Sequence, residues 1–329
     1  MKAILTCLTL GMALATAGAA PPAAVPEDAQ ALLSRLQNAA RQRNYVGTMV
    51  FTAGEVVSSS RVAHFSVGPD SYERLEALDG QLERVYRHNQ RVHSFWPQVR
   101  VATVEQRETL KAHPLWPELD PRVHEVYEAR VVGEDRVAGR RAQVLMMRPR
   151  DDWRFPQRLW ADSHTGLMLR ADVLGTQGVV LESSAFSDVQ IDAKPERESV
   201  LGPMKQLQGW RVVPVQPMVT QLQAEGWGVN KLPTGFRLVG VIKRPLGVEA
   251  TEVVSSQILH AVFSDGLARV SVFIEPREGG PQRQPLLTQM GATHTLMKPH
   301  SERWWVTVMG DVPSATLKQF HAALERRVP

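Results

Sequence analysis

Residues 44–106 read NYVGTMVFTAGEVVSSSRVAHFSVGPDSYERLEALDGQLERVYRHNQRVHSFWPQVRVATVEQ, and this stretch decides the fold. Short segments rich in Val, Phe, Tyr and Thr follow one another. Between them stand Ala53-Gly54, Gly68-Pro69-Asp70, Asp79-Gly80 and His88-Asn89. Branched and aromatic side chains pack well on a pleated surface, and Gly, Asn and Asp accept turn backbone. With turns this close, each strand pairs with its neighbour in sequence, which predicts an antiparallel meander. Alternation supports the assignment. Met49 and Phe51 share one face of their strand, Ala63, Phe65 and Val67 one face of the next, and Val92 and Trp96 lie opposite His93 and Phe95. A sheet with one solvated side has this pattern.

Toward the N-terminus, residues 28–43 (DAQALLSRLQNAARQR) predict a helix. Asp28 is the expected N-cap, and Leu32, Leu33, Leu36 and Ala40 form one apolar stripe that packs on the sheet. Ahead of it, MKAILTCLTLGMALATAGAA has a basic start, a short apolar run and a small-residue end, the pattern of a secretory signal peptide cleaved near Ala20. Cys7, inside that segment, is the only cysteine. The mature chain is therefore expected to hold no disulfide, thiolate metal site or Cys nucleophile. An exported chain of this length without disulfides rests on ordinary cores, which places it in the periplasm. No later run reaches the length of a membrane span.

Toward the C-terminus, residues 113–121 (HPLWPELDP) are too proline-rich for a helix or central strand, and are expected to plug an opening or cover a groove. Strand patterns resume at His124 to Val132, Arg141 to Arg148, Gln157 to Asp162, Leu167 to Leu174 and Val179 to Ile191. Ten or eleven strands of this kind make a twisted sheet that curls. Pro and Gly among Gln residues mark 203–227 as a linker. A second domain starts near Lys231. It contains a hairpin turning at Asp265-Gly266, a strand from Trp304 to Met309, and a terminal helix from Ser314 to Arg327 capped by Ser314. The expected division is 1–20 signal peptide, 21–202 large sheet domain, 203–227 linker and 228–329 small C-terminal domain. The fold class is α+β, mainly antiparallel β.

The formal charge is +4, and its distribution is uneven. Residues 228–329 hold twelve Lys and Arg against eight Asp and Glu, a net +4, whereas residues 21–227 hold 25 against 26, a net −1. The positive balance favours an acidic partner or anionic lipid surface at the C-terminal third. No basic run interleaved with aromatics argues for nucleic acid. Gly-x-Ser-x-Gly, His-Glu-x-x-His, Gly-x-x-x-x-Gly-Lys and Gly-x-Gly-x-x-Gly motifs are absent, so no catalytic, metal or cofactor site is expected. The many large apolar side chains, among them Phe51, Phe65, Trp96, Trp116 and Trp160, fit either a closed core or a groove for an acyl chain.

The pieces GTMVF, GEVVSSSRVAHF, SYERLEALDG, RVAGR, RPRDDWRFPQRLWADSHTGLMLRADVL, GVVLESSAF and SDGLARVSVFIEP resemble, in order, the RseB/MucB family of periplasmic sigma-E factor regulatory proteins. The resemblance spans nearly all of the mature chain. It implies a large unclosed β half-barrel wrapped on helices, similar to the lipoprotein carriers LolA and LolB, and a smaller sheet-and-helix domain. It implies a non-enzymatic role: binding the periplasmic part of an RseA- or MucA-like anti-sigma factor, shielding it from proteolysis, and release by lipid or lipopolysaccharide-type amphiphiles. The half-barrel alone would suggest the alternative of a periplasmic lipid or lipoprotein carrier. Candidate groove residues are Phe51, Phe65, Trp96, Trp116 and Trp160. Candidate docking residues are Lys243, Arg244, Arg269 and Arg277. Whether the protein forms a homo-oligomer is open at this level.

Overall fold

The computed structural model describes residues 27–106, 119–245, 257–277 and 283–327. The signal segment and Trp116 lie outside the described residues. Helix α1 (Glu27–Gln42) carries the expected stripe, with Leu32, Leu33 and Leu36 buried. Each such leucine contributes about 2 kcal/mol by leaving water. Asp28 sits inside the first turn, where its carboxylate accepts from the Ala29 N–H at 2.9 Å.

Six strands follow: β1 (Tyr45–Ala53), β2 (Val56–Val67), β3 (Asp70–Ala77), β4 (Arg84–His88), β5 (Arg91–Trp96) and β6 (Val101–Gln106). Each pairs antiparallel with the next, as the turn spacing requires. After a short 3-10 helix at Pro121–Glu125 comes a second meander: β7 (Tyr127–Val137), β8 (Arg140–Pro149), β9 (Gln157–Asp162), β10 (Met168–Leu174) and β11 (Val180–Ile191). β11 returns to pair with β1, joining the meanders into one sheet. Its two ends do not meet, so the sheet is unclosed. It nevertheless curls. α1 touches β2, β7 and β10, and β7 touches β11 although three strands separate them in the sheet.

The two faces carry different cores. Tyr45, Met49, Val62, Leu145, Leu159 and Phe186 pack with α1. On the other face, helix α2 (Glu198–Lys205) covers β3 and β4, and Val200 and Met204 pack with Phe65, Tyr72, Tyr86 and Phe95. Residues 203–227 hold the end of α2 and two strands. β12 (Arg211–Val215) adds to the large sheet parallel to β6, and β13 (Met218–Val219) adds to the second sheet.

The C-terminal elements are β14 (Trp227–Val229), β15 (Arg237–Pro245), β16 (Gln257–Ser264), β17 (Arg269–Pro276), β18 (Leu286–Met290), β19 (Thr293–His300), β20 (Trp304–Gly310), α3 (Ser314–Ala323) and β21 (Leu324–Arg326). Seven strands form a sheet in the order β13-β15-β16-β17-β20-β19-β18, and β14 pairs with β21. Val241, Ala261, Phe263, Val272, Val306 and Val308 point toward α3, where Leu317 and Phe320 complete the core.

Three local expectations need correction. Asp265-Gly266 is not a two-residue turn. Ser264 pairs with Arg269, leaving a four-residue loop in which the Asp265 carboxylate accepts from the Leu267 and Ala268 N–H groups at 2.9 and 2.7 Å. The last helix follows an extended Pro313, so Ser314 is its first residue rather than its cap. It stops at Ala323 because Leu324 turns extended and pairs with Val229. β18 and β19 also form a hairpin, turning at Gly291 (φ +59°), in a region where no strand is anticipated.

Candidate functional site

The alternation that sends Val270, Val272 and Ile274 into the core sends Arg269, Ser271, Phe273 and Glu275 to the opposite, outer face of the small sheet. Arg277 continues that row. Register carries the same face across the neighbours, through Ile242 and Arg244 on β15, His260 on β16 and Trp305 on β20. Aromatic rings hold the cations. The Arg244 guanidinium lies 5.5 Å from the Phe273 ring centre, and the His260 ring stacks on Phe273 at 4.2 Å. Arg277 lies 5.4 Å from the ring of Trp305. Cations over ring faces keep the charge while covering apolar surface. His260 is pulled down to about 4, first by burial and then by the Arg244 charge, so it is neutral at pH 7. Its Nε2 lies 3.1 Å from Ser271 Oγ. Three of the four candidate docking residues, Arg244, Arg269 and Arg277, therefore share one face with aromatic rings between them. Lys243 does not. It faces the helix side and forms an ion pair with Glu225.

The groove candidates separate in the same way. Phe51 is half-buried on the α1 face of β1, and Trp96 lies on that same face at the end of β5. Phe65 is on the other face, buried beneath α2. Trp160 is buried and belongs to the core cluster that packs with α1. Arg170 and Arg158 lie 4.6 and 5.6 Å from its ring, and its Nε1–H donates to Asp135 Oδ2 at 2.9 Å. The α1 face of β2 to β4 is partly polar, with Glu73 3.5 Å from His64 Nδ1 and 3.4 Å from Arg87 Nη1.

A third cluster escaped the sequence reading. Arg154, 2% exposed, donates from Nη1 to Asp265 Oδ2 at 2.8 Å, across the seam between the two domains. Its Nε donates to Asp151 at 2.9 Å, and the Tyr127 hydroxyl donates to Asp265 at 3.1 Å. Burial raises the Asp265 carboxyl, while Arg154 and two backbone N–H groups oppose that rise. Burial and the Asp265 charge hold the Tyr127 hydroxyl well above its usual range. Further along the seam, Gly291 packs on Ala53, and a Cβ there would lie 2.7 Å from that of Ala53. Beside it, Glu182 of β11 faces Asp311, Ala292 and Thr293 of the small domain. Asp151-Asp152 is a sequence cue to the first cluster, but its partner at position 265 is more than a hundred residues away.

Among the described residues, no group of three or more His, Cys, Asp or Glu side chains is placed to hold a metal ion, and no helix is long and apolar enough to cross a membrane.

These features define a two-domain protein in which an unclosed antiparallel sheet wraps a helix and a small sheet presents cations and aromatic rings. Residues 28–204 match the MucB/RseB N-terminal domain and residues 221–325 the MucB/RseB C-terminal domain. The chain belongs to the MucB/RseB family. It is 32% identical to the sigma factor AlgU regulatory protein MucB of Pseudomonas aeruginosa, over 91% of this chain and 92% of that one. It is 24% identical to the sigma-E factor regulatory protein RseB of Escherichia coli strain K12, over 88% of each. Its fold matches a crystal structure of MucB in complex with MucA(peri), with a TM-score of 0.67 and 29% identity, covering 92% of this chain and all of that one.

Proposed function

We propose that this chain is a periplasmic negative regulator of an envelope-stress sigma factor, and that it binds and shields the periplasmic segment of a membrane-spanning anti-sigma factor. The observation that carries this reading is the outer face of the small sheet, where Arg244, Arg269 and Arg277 stand with Phe273 and Trp305. Such a face suits an acidic segment with apolar side chains. Support also comes from the solved relative described as MucB in complex with MucA(peri), which is matched by 92% of this chain. A lipid carrier needs only the half-barrel, and the small domain's cationic face has no part in that alternative.

The test is the association rate of the full chain with the periplasmic segment of the anti-sigma factor. Steering by exposed cations acts mainly on association and is screened over roughly 8–10 Å at physiological salt. Arg277→Glu combined with Arg244→Gln is expected to slow association about tenfold at low salt and flatten its salt dependence. Lys243→Gln, altered on the opposite face, is expected to leave the rate unchanged. Equal rates for all three proteins would move the docking site elsewhere.

For the releasing lipid we propose the α1 face, which Phe51 and Trp96 share. Lipid A added to the full chain is expected to quench tryptophan fluorescence saturably, and Trp96→Phe to remove much of that signal. Full quenching by lipid A in the Trp96→Phe variant would place the lipid elsewhere.

A further inference from the structure

The outer face of the small sheet extends beyond its arginines. Directly opposite residues run from strand to strand as Leu286 of β18, Met297 of β19, Thr307 of β20, Phe273 of β17 and His260 of β16. In the row beside it, Met309 stands between Thr295 and Ser271, diagonal to Met297. Met290 lies opposite Thr293, at the end of β18. Alternation thus brings three thioethers to one half of this face, on three adjacent strands, and the Arg244–Phe273 pair to the other half. Leu286 and Met290 are 48 and 52% exposed, and Met297 and Met309 are half-buried. The methionines elsewhere in the described residues are placed differently. Met49, Met147, Met168 and Met204 are buried, Met146 is half-buried in the large sheet, and the exposed Met218 lies on the side of Lys243.

We propose that Met290, Met297 and Met309 form a reversible oxidation switch on the docking face, with hypochlorous acid as the oxidant and the sulfoxides as the releasing state. This rests on the reading of the outer face as the surface that binds the anti-sigma factor. Cys7 falls in the segment expected to be removed, so thioethers are the softest nucleophiles of the mature chain. In the reaction a thioether sulfur gains one oxygen and loses two electrons. The chlorine of hypochlorous acid takes up those electrons and leaves as chloride, and a proton is released. The product is polar and chiral where the side chain was apolar and flexible. A partner's apolar side chain covers a thioether favourably, but over a sulfoxide it buries an oxygen without a hydrogen bond. The arginines are untouched, so steering persists while the bound state weakens. Sulfoxide reductases return the thioether, which makes the change a switch rather than damage.

The experiment measures binding of the mature chain to the periplasmic segment of the anti-sigma factor, before and after treatment with hypochlorous acid. Peptide mass spectrometry locates the sulfoxides, and circular dichroism checks the fold. The treated chain is expected to dissociate about tenfold faster, with its association rate kept. Methionine sulfoxide reductases are expected to reverse the change. Met290→Leu, Met297→Leu and Met309→Leu together conserve volume. That variant is expected to bind normally before and after treatment, although Met146 and Met218 stay oxidisable. The same three positions changed to Gln, a neutral polar stand-in for the sulfoxide, are expected to dissociate faster with no oxidant. Unchanged binding by a chain carrying all three sulfoxides overturns the proposal, as does normal binding by the Gln variant or an equal loss in the Leu variant. The docking face itself is tested separately, by Arg277→Glu with Arg244→Gln. Slower association there, with sulfoxides of no effect, overturns the switch and keeps the docking face. Faster dissociation on oxidation, with the arginine changes of no effect, keeps the switch and confines docking to the thioether half. Indifference to both overturns both.

Discussion

Arg154 is buried against two carboxylates and an aromatic pair, and one of those carboxylates, Asp265, belongs to the other domain. Taking a guanidinium out of water is costly, and the cost is met only while the opposing charges stay in place. Arg154→Met is therefore expected to cost about 3–5 kcal/mol in urea unfolding, because Asp265 is left charged and buried. Asp265→Asn added to it is expected to recover part of that loss. Strictly additive losses would mean that the two residues are not energetically paired. At the same scale, the aromatic partners of Arg244 and Arg277 explain how cations remain on the small sheet with apolar surface around them. Neither partnership was legible from the positions alone, since Phe273 and Trp305 meet the arginines only after three strands have aligned.

At the scale of elements, β11 and the β18–β19 hairpin meet across the seam through Glu182. Its Oε2 is buried without a hydrogen-bond partner, and the Thr293 hydroxyl donates to Asp311 Oδ1 at 2.5 Å. Burial and the like charge of Asp311 push Glu182 up to about 7, and Asp311 is itself raised by burial, with Arg269 opposing. A carboxyl raised in the folded state binds more protons folded than unfolded. Its stabilising contribution is complete below the unfolded value of 4.5 and is lost as pH rises through about 7. His260 runs the other way. Lowered to about 4, it contributes above 6.5, and that contribution is lost as pH falls toward 4. Between about pH 4.5 and 6.5 the two contributions oppose each other, so the melting midpoint is expected to be level there and to decline on either side. Glu182→Gln, which keeps the uncharged form, is expected to remove the decline toward pH 7 and to leave the His260 rise between about pH 4 and 6.5 unopposed. A midpoint that declines with rising pH as steeply in Glu182→Gln as in the unaltered chain would contradict the assignment.

At the scale of the whole molecule, two domains with cores of their own share a hydrogen-bonded seam, across which Leu267 of the small domain packs into the core of the large one. The Thr316 hydroxyl donates to the Trp153 carbonyl at 2.7 Å, and the Asp120 N–H to the Gly266 carbonyl at 3.0 Å. Neither core uses a disulfide, since Cys7 is the only cysteine and falls in the segment expected to be removed. Reductant is therefore expected to leave the melting midpoint of the mature protein unchanged, and N-terminal sequencing of that protein to begin near Pro21. A midpoint lowered by dithiothreitol would mean that Cys7 is retained and cross-linked.

The residues alone determined the meanders. Period-two alternation and turn chemistry act between neighbours, so the pairings from β1 to β6 and from β7 to β11 could be read in order, and the family resemblance followed from matched pieces in sequence. Contacts between distant parts were decided only by the tertiary structure. The return of β11 to β1, the parallel addition of β12 and the meeting of Arg154 with Asp265 all join residues far apart in the chain. No local pattern encodes such a pairing, because its free energy depends on surfaces that exist only after the sheet has curled. The same reason divided the aromatic residues. Alternation placed Phe51 and Trp96 on one face of their strands and Phe65 on the other. Where the helices packed then made one face the wrap around α1 and the other the bed of α2.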